Sequence, residues 1–295
     1  MSPAYAPRNL LGVYPKVVEQ VRNFRGVLER LATTESVFRM EEMAARFSFD
    51  AVGLFLLDRE FNVQTDDKGP GRQAIKTLFI GGIDTSASAL AWVYFFLSVY
   101  PDVLRRMREE HDAKIPGPRE GALEQLAQNP SLLNELEYTA AVIKETLRLR
   151  PGGSVVRMVE KGMMIEDQGN EYAAWDHPIM INAHGIQRRP EYFHDPDAFD
   201  PDRWLTASPD PANAWRPFER GAHSCLGQEF ATMNSKTALV ATVRMFDFET
   251  KYSADALSWP DPAVGGKEVD GKAYQELTFS AKPKGGLPMV VSLRR

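Results

Sequence analysis

The sequence predicts a mainly α-helical protein with a small β-sheet. Three observations carry that reading. Apolar residues recur at three- and four-residue intervals over long stretches, one segment of helix length is apolar on nearly every face, and short β-branched runs are confined to the second half. With 295 residues, 43% of them hydrophobic and 25% charged, the chain can bury a sizeable core, which excludes a disordered or collagen-like protein.

Val17 to Leu31 and Met40 to Leu57 carry the helical period, each with one face turned to a core. The run Asp66-Asp-Lys-Gly-Pro-Gly71 breaks regular structure and marks the best boundary in the chain. It divides a partial N-terminal helical segment, 1–72, from a larger core, 73–295. Gln73 to Tyr100 predicts a buried helix that Pro101 stops, with Trp92, Tyr94, Phe95 and Phe96 as core. From Pro101 to Lys114 the alternating charges of Arg105, Arg106, Arg108, Glu109 and Glu110 predict a solvated helix. Pro116-Gly-Pro118 is a loop, and Asn134 to Leu149 is a helix closed by Pro151-Gly-Gly153. Ser154 to Glu160, Gly162 to Ile165 and Pro178 to Asn182 read as strands of a small sheet, which Thr278 to Ala281 and Met289 to Leu293 rejoin. Arg188 to Phe218, dense in Pro, Asp and aromatic residues, is an ordered meander, and a last helix follows Cys225 to about Phe246.

A net charge of −5 with interspersed signs offers no basic stripe to nucleic acid. The apolar stretch Ala89 to Val99 falls short of the roughly 20 residues that cross a bilayer. The first residues lack the pattern of a secretory signal, so the chain reads as intracellular, with no membrane anchor. A single cysteine excludes both an intrachain disulfide and a Cys-rich zinc site.

That cysteine lies in Phe218-Glu-Arg-Gly221-Ala-His223-Ser-Cys225-Leu-Gly227, between two glycines and just ahead of a helix. Glycine allows positive φ and close backbone approach. A sulfur at a helix N-terminus, among unpaired N–H groups, suits a soft metal. The plain alternative is an inert buried cysteine. Glu145 and Arg148, three residues apart, share a helix face. Gly81-Gly-Ile-Asp84-Thr85-Ser86 interrupts the buried helix, although each glycine there costs about 1 kcal/mol relative to alanine; its plain alternative is a close helix crossing.

Together these segments resemble the cytochrome P450 family, and in particular its fungal members of secondary metabolism. The cysteine loop is similar to Phe-x-x-Gly-x-Arg/His-x-Cys-x-Gly, matched by Phe218, Gly221, His223, Cys225 and Gly227. The resemblance implies that Cys225 is the axial ligand of haem b and that His223, where most members carry arginine, approaches a propionate. It implies that Arg157, after the Pro-Gly-Gly bend, pairs a second propionate, as its forked donors allow. It further implies a buried brace of Glu145, Arg148 and Arg203, the last from Asp200-Pro-Asp-Arg-Trp204, and a distorted oxygen helix in which Thr85 bonds dioxygen while Asp84 relays protons. His177, His184 and His194 have no metal-like spacing and stay structural.

The implied fold is P450-like but shortened. The N-terminal anchor with its first helices and sheet is missing, and only Asn62 to Arg72 stands where helices roofing the pocket would connect to the oxygen helix. The implied function is a haem-thiolate monooxygenase that inserts one atom of O2 into a small apolar organic substrate, with electrons from NADPH-cytochrome P450 reductase. Two readings stand beside it: a haem-binding but catalytically impaired fragment, and a Cys/His nucleophilic enzyme using Cys225 with His223 or His184. Relatives sit on the endoplasmic reticulum membrane; without an anchor this chain is expected to be cytoplasmic or peripheral.

Overall fold

The structure, a computed structural model, describes residues 7–65, 72–175, 177–206, 213–251, 273–277 and 280–294. Among these residues the α-helices are α1 (Pro7–Thr34), α2 (Met40–Leu57), α3 (Arg72–Val99), α4 (Pro101–Lys114), α5 (Ala122–Gln128), α6 (Glu137–Leu149), α7 (Ala183–Ile186) and α8 (Gln228–Thr242). The strands are β1 (Phe38–Arg39), β2 (Val155–Arg157), β3 (Met164–Asp167), β4 (Asn170–Ala173), β5 (Ile179–Ile181), β6 (Phe246–Thr250), β7 (Gln275–Leu277), β8 (Ala281–Pro283) and β9 (Pro288–Leu293).

The helix α3 occupies the centre because from Ala87 to Leu97 its sequence leaves it almost no polar face to give to water. Trp92, Tyr94, Phe95 and Phe96 are fully buried, each such side chain worth roughly 1.5–3 kcal/mol of transfer free energy. Phe96 stacks on Phe199 of the meander, centroids 4.3 Å apart, and Tyr94 shares a 2.7 Å hydrogen bond with Thr242 at the end of α8. The segment Gly81–Val99 is long and apolar enough to cross a membrane by composition, and it is mostly packed inside protein here. α1 and α2 join the same core. α1 runs through Pro15, where the sequence reading placed its start two residues later, because Tyr14 and Val17 on either side of it are both fully buried. Burial pushes the Tyr14 phenol up to about 12, and its hydroxyl shares a 3.1 Å hydrogen bond with Thr237 of α8.

After α2 the chain turns at Asp58, a left-handed residue, and is pinned back by the buried Asp50 carboxylate, which accepts the N–H groups of Val63 (3.0 Å) and Gln64 (3.1 Å). The breaker at 66–71 lies outside the described residues, which resume at Arg72 beside the expected division, and the predicted Thr278 to Ala281 strand lies partly outside them.

Several elements differ from the sequence expectation. The strands form four separate units: a sheet in the order β1-β9-β6, and the antiparallel pairs β2-β5, β3-β4 and β7-β8. The tail strand β9 joins β1 and β6, far from the strands of 155–181, because Met289 and Val291 are buried against the helical core. The last helix ends at Thr242, and Phe246–Thr250 is a strand whose alternating burial a helical period would not produce. The stretch 119–133 carries no periodic signal, yet Ala122, Leu123 and Leu126 fill one buried face of a helix only seven residues long, and the helix expected from Asn134 starts at Glu137.

The charged helix α4 is not simply solvated. Its Arg105 pairs with Glu109 at the surface, but Arg108 donates to the carbonyls of Val243 and Phe246, and Glu110 accepts the N–H groups of Tyr138 and Thr139. Glu110 thereby caps α6, whose own N-cap residue, Leu136, has no side chain able to do so.

Candidate functional site

The cysteine loop is closed by a 2.7 Å hydrogen bond from the Cys225 N–H to the carbonyl of Phe218. Between them Gly221 adopts φ +77° and Glu219 φ +55°, and Gly221 opens a single 3-10 turn to His223. A side chain at Gly221 would meet no neighbour, so the glycine serves the backbone conformation alone. Cys225 is exposed two residues ahead of Gly227, the N-cap of α8, and a Cβ at Gly227 would rest 3.9 Å from the sulfur. Phe230, one turn into α8, stacks on Phe55 of α2 at 4.3 Å and holds this end of the helix in the core.

Glu145, Arg148 and Arg203 come together. Glu145 and Arg148 are fully buried; Arg148 donates through Nε (2.9 Å) and Nη2 (2.8 Å) to the two carboxylate oxygens, and Arg203 Nε adds a third bond at 3.0 Å. Trp204 Nε1 and the Asp200 N–H complete the shell of Glu145, each at 2.9 Å. Arg148 also donates to the carbonyls of Gln187, Pro196 and Ala198, fastening the meander to α6. Five donors around one carboxylate meet the condition under which a buried ion pair is tolerated.

The brace reaches the cysteine loop through residues the sequence reading did not single out. Gln187 donates to the carbonyls of Leu147 and Arg148, and its Oε1 accepts the N–H of Arg216 at 2.7 Å, two residues before Phe218. Trp204, Trp215 and Phe218 continue the path as edge-on rings 5.8 and 6.0 Å apart, and Trp215 donates to the carbonyl of Lys144. Trp204 is adjacent to Arg203 in sequence and could have been found; Gln187 sits in an unremarkable run and could not.

On α3, Thr85 donates its hydroxyl to the carbonyl of Gly81 at 2.6 Å, a bond that competes with the helix ladder. Gly152 of the Pro-Gly-Gly bend faces Thr85; a Cβ there would come within 3.3 Å of the threonine Cβ. The bend and the Gly81–Ser86 segment are therefore in contact. Asp84 is paired with Lys282 of β8 at 2.8 Å, and Lys282 lies 3.8 Å from Glu41. This ion pair was not anticipated, since Lys282 is almost two hundred positions away. β8 is itself docked on the motif: Ser88 donates to the Ala281 carbonyl and the Ala281 N–H to that of Gly152. Arg157 is half-buried on β2, opposite Ile179, and makes no side-chain hydrogen bond or ion pair among the described residues. His223 is exposed, and His194 pairs with Asp195 at the surface. No three His, Cys, Asp or Glu side chains among the described residues converge as a metal site.

The architecture is thus mainly helical, with one exposed thiol on a glycine-turned loop that the Glu145 network braces through Gln187 and Arg216. The family model for "Cytochrome P450" matches residues 71–264. The chain is 35% identical over 271 residues to cytochrome P450 monooxygenase ptmG of Penicillium ochrochloron, spanning 91% of this chain and 47% of that relative. It is 29% identical to cytochrome P450 monooxygenase acrF of Aspergillus aculeatus over 399 residues, spanning 98% of this chain and 80% of the relative. A crystal structure of a cytochrome P450 (CYP102L1) superposes with a TM-score of 0.78 at 18% identity, over 99% of this chain and 77% of that one. The chain belongs to the cytochrome P450 family. It spans about half the length of ptmG, and the alignment with acrF is longer than the chain itself, so that relative holds internal residues with no counterpart here.

Proposed function

We propose that the chain is a haem-thiolate monooxygenase, with haem b carried on Cys225, that oxidises a small apolar organic molecule of fungal secondary metabolism. Its electrons would come from an external reductase of the NADPH-cytochrome P450 type. The observation that supports this reading is the pairing of an exposed sulfur with a loop held rigid by the buried Glu145 brace through Gln187 and Arg216.

The residues suit the group. A single thiol on an open loop is a one-ligand donor to iron, and the positive φ of Gly221 keeps any side chain from that turn. Arg157 and His223 are available to a pair of carboxylates. When bound, the haem supplies dioxygen activation. Cys225 would hold it and donate electron density to the iron; Thr85, by releasing the Gly81 carbonyl, could donate its Oγ1 proton to an acceptor beside α3. Asp84 would carry protons inward from solvent on Oδ1 while Oδ2 stays paired with Lys282, which sets the β8 docking beside the relay.

A second reading, haem binding without turnover, is favoured by the internal residues that acrF has and this chain lacks. The test is the absorption spectrum of the reduced, CO-treated protein expressed with added haem, beside Cys225→Ser. A thiolate-type Soret band lost in the variant, with substrate-dependent NADPH consumption, supports the monooxygenase; the band without consumption supports the second reading. An imidazole-type band, or one unchanged in the variant, refutes ligation by Cys225 and with it the monooxygenase, and leaves the second reading in the lead.

A further inference from the structure

At the end of α8 opposite the cysteine loop, a cavity of about 450 Å³ lies between the loop of 117–120, the end of α4 and the last strand. The fifteen residues of α8 put it about 22 Å from the loop, outside the site described above. Arg119, Arg244 and Arg294 form its walls, with Asp112 and Glu120.

Arg244 is the informative residue, only 2% exposed. Its Nη1 donates to the Ile115 carbonyl (3.0 Å) and to Asp112 (3.3 Å), while Nε and Nη2, both buried, have no acceptor among the described residues. A buried guanidinium with two unmet N–H donors is costly unless an acceptor reaches it. Its one carboxylate partner, Asp112, is largely exposed and weakly engaged. Two carbonyls just past this helix end, which would repel an anion, are already occupied. Arg108 donates to that of Val243, and Arg119 Nη1 to that of Arg244 at 2.8 Å, which fixes a second guanidinium on the cavity wall. Arg294, exposed, makes no side-chain hydrogen bond or ion pair among the described residues.

We propose that this cavity binds a phosphate dianion, free or carried on a small organic body, through Arg244, Arg119 and Arg294. Three guanidinium groups approaching from different walls suit the tetrahedral oxygens of a phosphate dianion, and its double charge, better than the coplanar oxygen pair of a singly charged carboxylate. The volume is within the range of small-molecule pockets, with room for more than the phosphate group.

The test is calorimetric titration of the full chain with inorganic phosphate, ionic strength held constant with chloride. We expect one saturating site with a Kd below about 1 mM, weakened about tenfold or more in both Arg294→Gln and Arg119→Gln. Arg105→Gln, on the exposed side of α4, is expected to bind as the parent does. Unchanged urea midpoints in the two variants separate lost binding from unfolding, which Arg244→Gln alone would not. A parallel titration with adenosine 5′-monophosphate distinguishes the sources. Tighter binding than phosphate assigns a phosphomonoester, and equal or weaker binding assigns the free ion. Non-saturating heats, or affinity unaffected in both variants, overturn the site.

Discussion

Glu145→Ala tests the brace beneath the cysteine loop directly. In the native protein this carboxylate is fully buried and receives five hydrogen bonds, three of them from Arg148 and Arg203. Alanine removes the negative charge and leaves the Arg148 guanidinium, also fully buried, with only carbonyl partners. Breaking a buried pair in this way costs about 3–5 kcal/mol. Trp204 Nε1 and the Asp200 N–H lose their acceptor as well, so the upper part of that range is expected. At roughly 2–4 °C per kcal/mol for a chain of this size, the thermal midpoint falls by about 10 °C or more. The measurement is urea unfolding followed by far-UV circular dichroism. A loss below about 1 kcal/mol would mean that the pair is hydrated or replaceable, and the bracing argument would fail. Glu145→Leu with Arg148→Met is expected to recover only part of the loss, because Arg148 also serves the Gln187, Pro196 and Ala198 carbonyls.

His111 predicts a pH dependence. Its Nε2 lies 2.8 Å from Thr139 Oγ1, and since that hydroxyl donates to Glu110, the imidazole proton sits on Nε2. Burial, with the positive Arg244 nearby, pulls the imidazole from 6.5 down to about 3. The unfolded chain therefore takes up a proton below pH 6.5 that the fold refuses. The stability contribution is full above 6.5 and declines as pH falls toward 3, by about 2 kcal/mol at pH 5. Urea midpoints between pH 7.5 and 5 should flatten by about one proton in His111→Gln; an unchanged slope contradicts the assignment. Gly53→Ala should destabilise by about 1–3 kcal/mol even though alanine is the better helix former, because its Cβ would fall 2.5 Å from the Phe61 ring, which is wedged edge-on to Phe49; a stabilised variant would show that Phe61 is free to move. Gly221→Ala forces a side chain into φ +77° at a cost of about 1–2 kcal/mol, and is expected to weaken haem retention on gel filtration more than it lowers the urea midpoint. Equal retention would place the loop's conformation outside haem binding.

What the sequence determined by itself was local. The period of Met40–Leu57 and the Pro101 that opens α4 set those helices at their observed bounds, because periodicity and proline act within a few residues. The spacing of Glu145 and Arg148 placed both on one face, and the Gly221 to Gly227 motif marked the loop ahead of a helix that carries the single sulfur, whose exposure only the structure shows. The tertiary structure decided which distant groups complete these local patterns. Gln187 links α6 to Arg216, Glu110 caps a helix other than its own, Lys282 holds Asp84, and β9 pairs with β6 and β1 rather than with the strands of 155–181. Each of these depends on a carbonyl, amide or charge left unmet when one element forms alone. The partner is chosen by which surfaces the buried α3 draws together, and no short window of sequence carries that information.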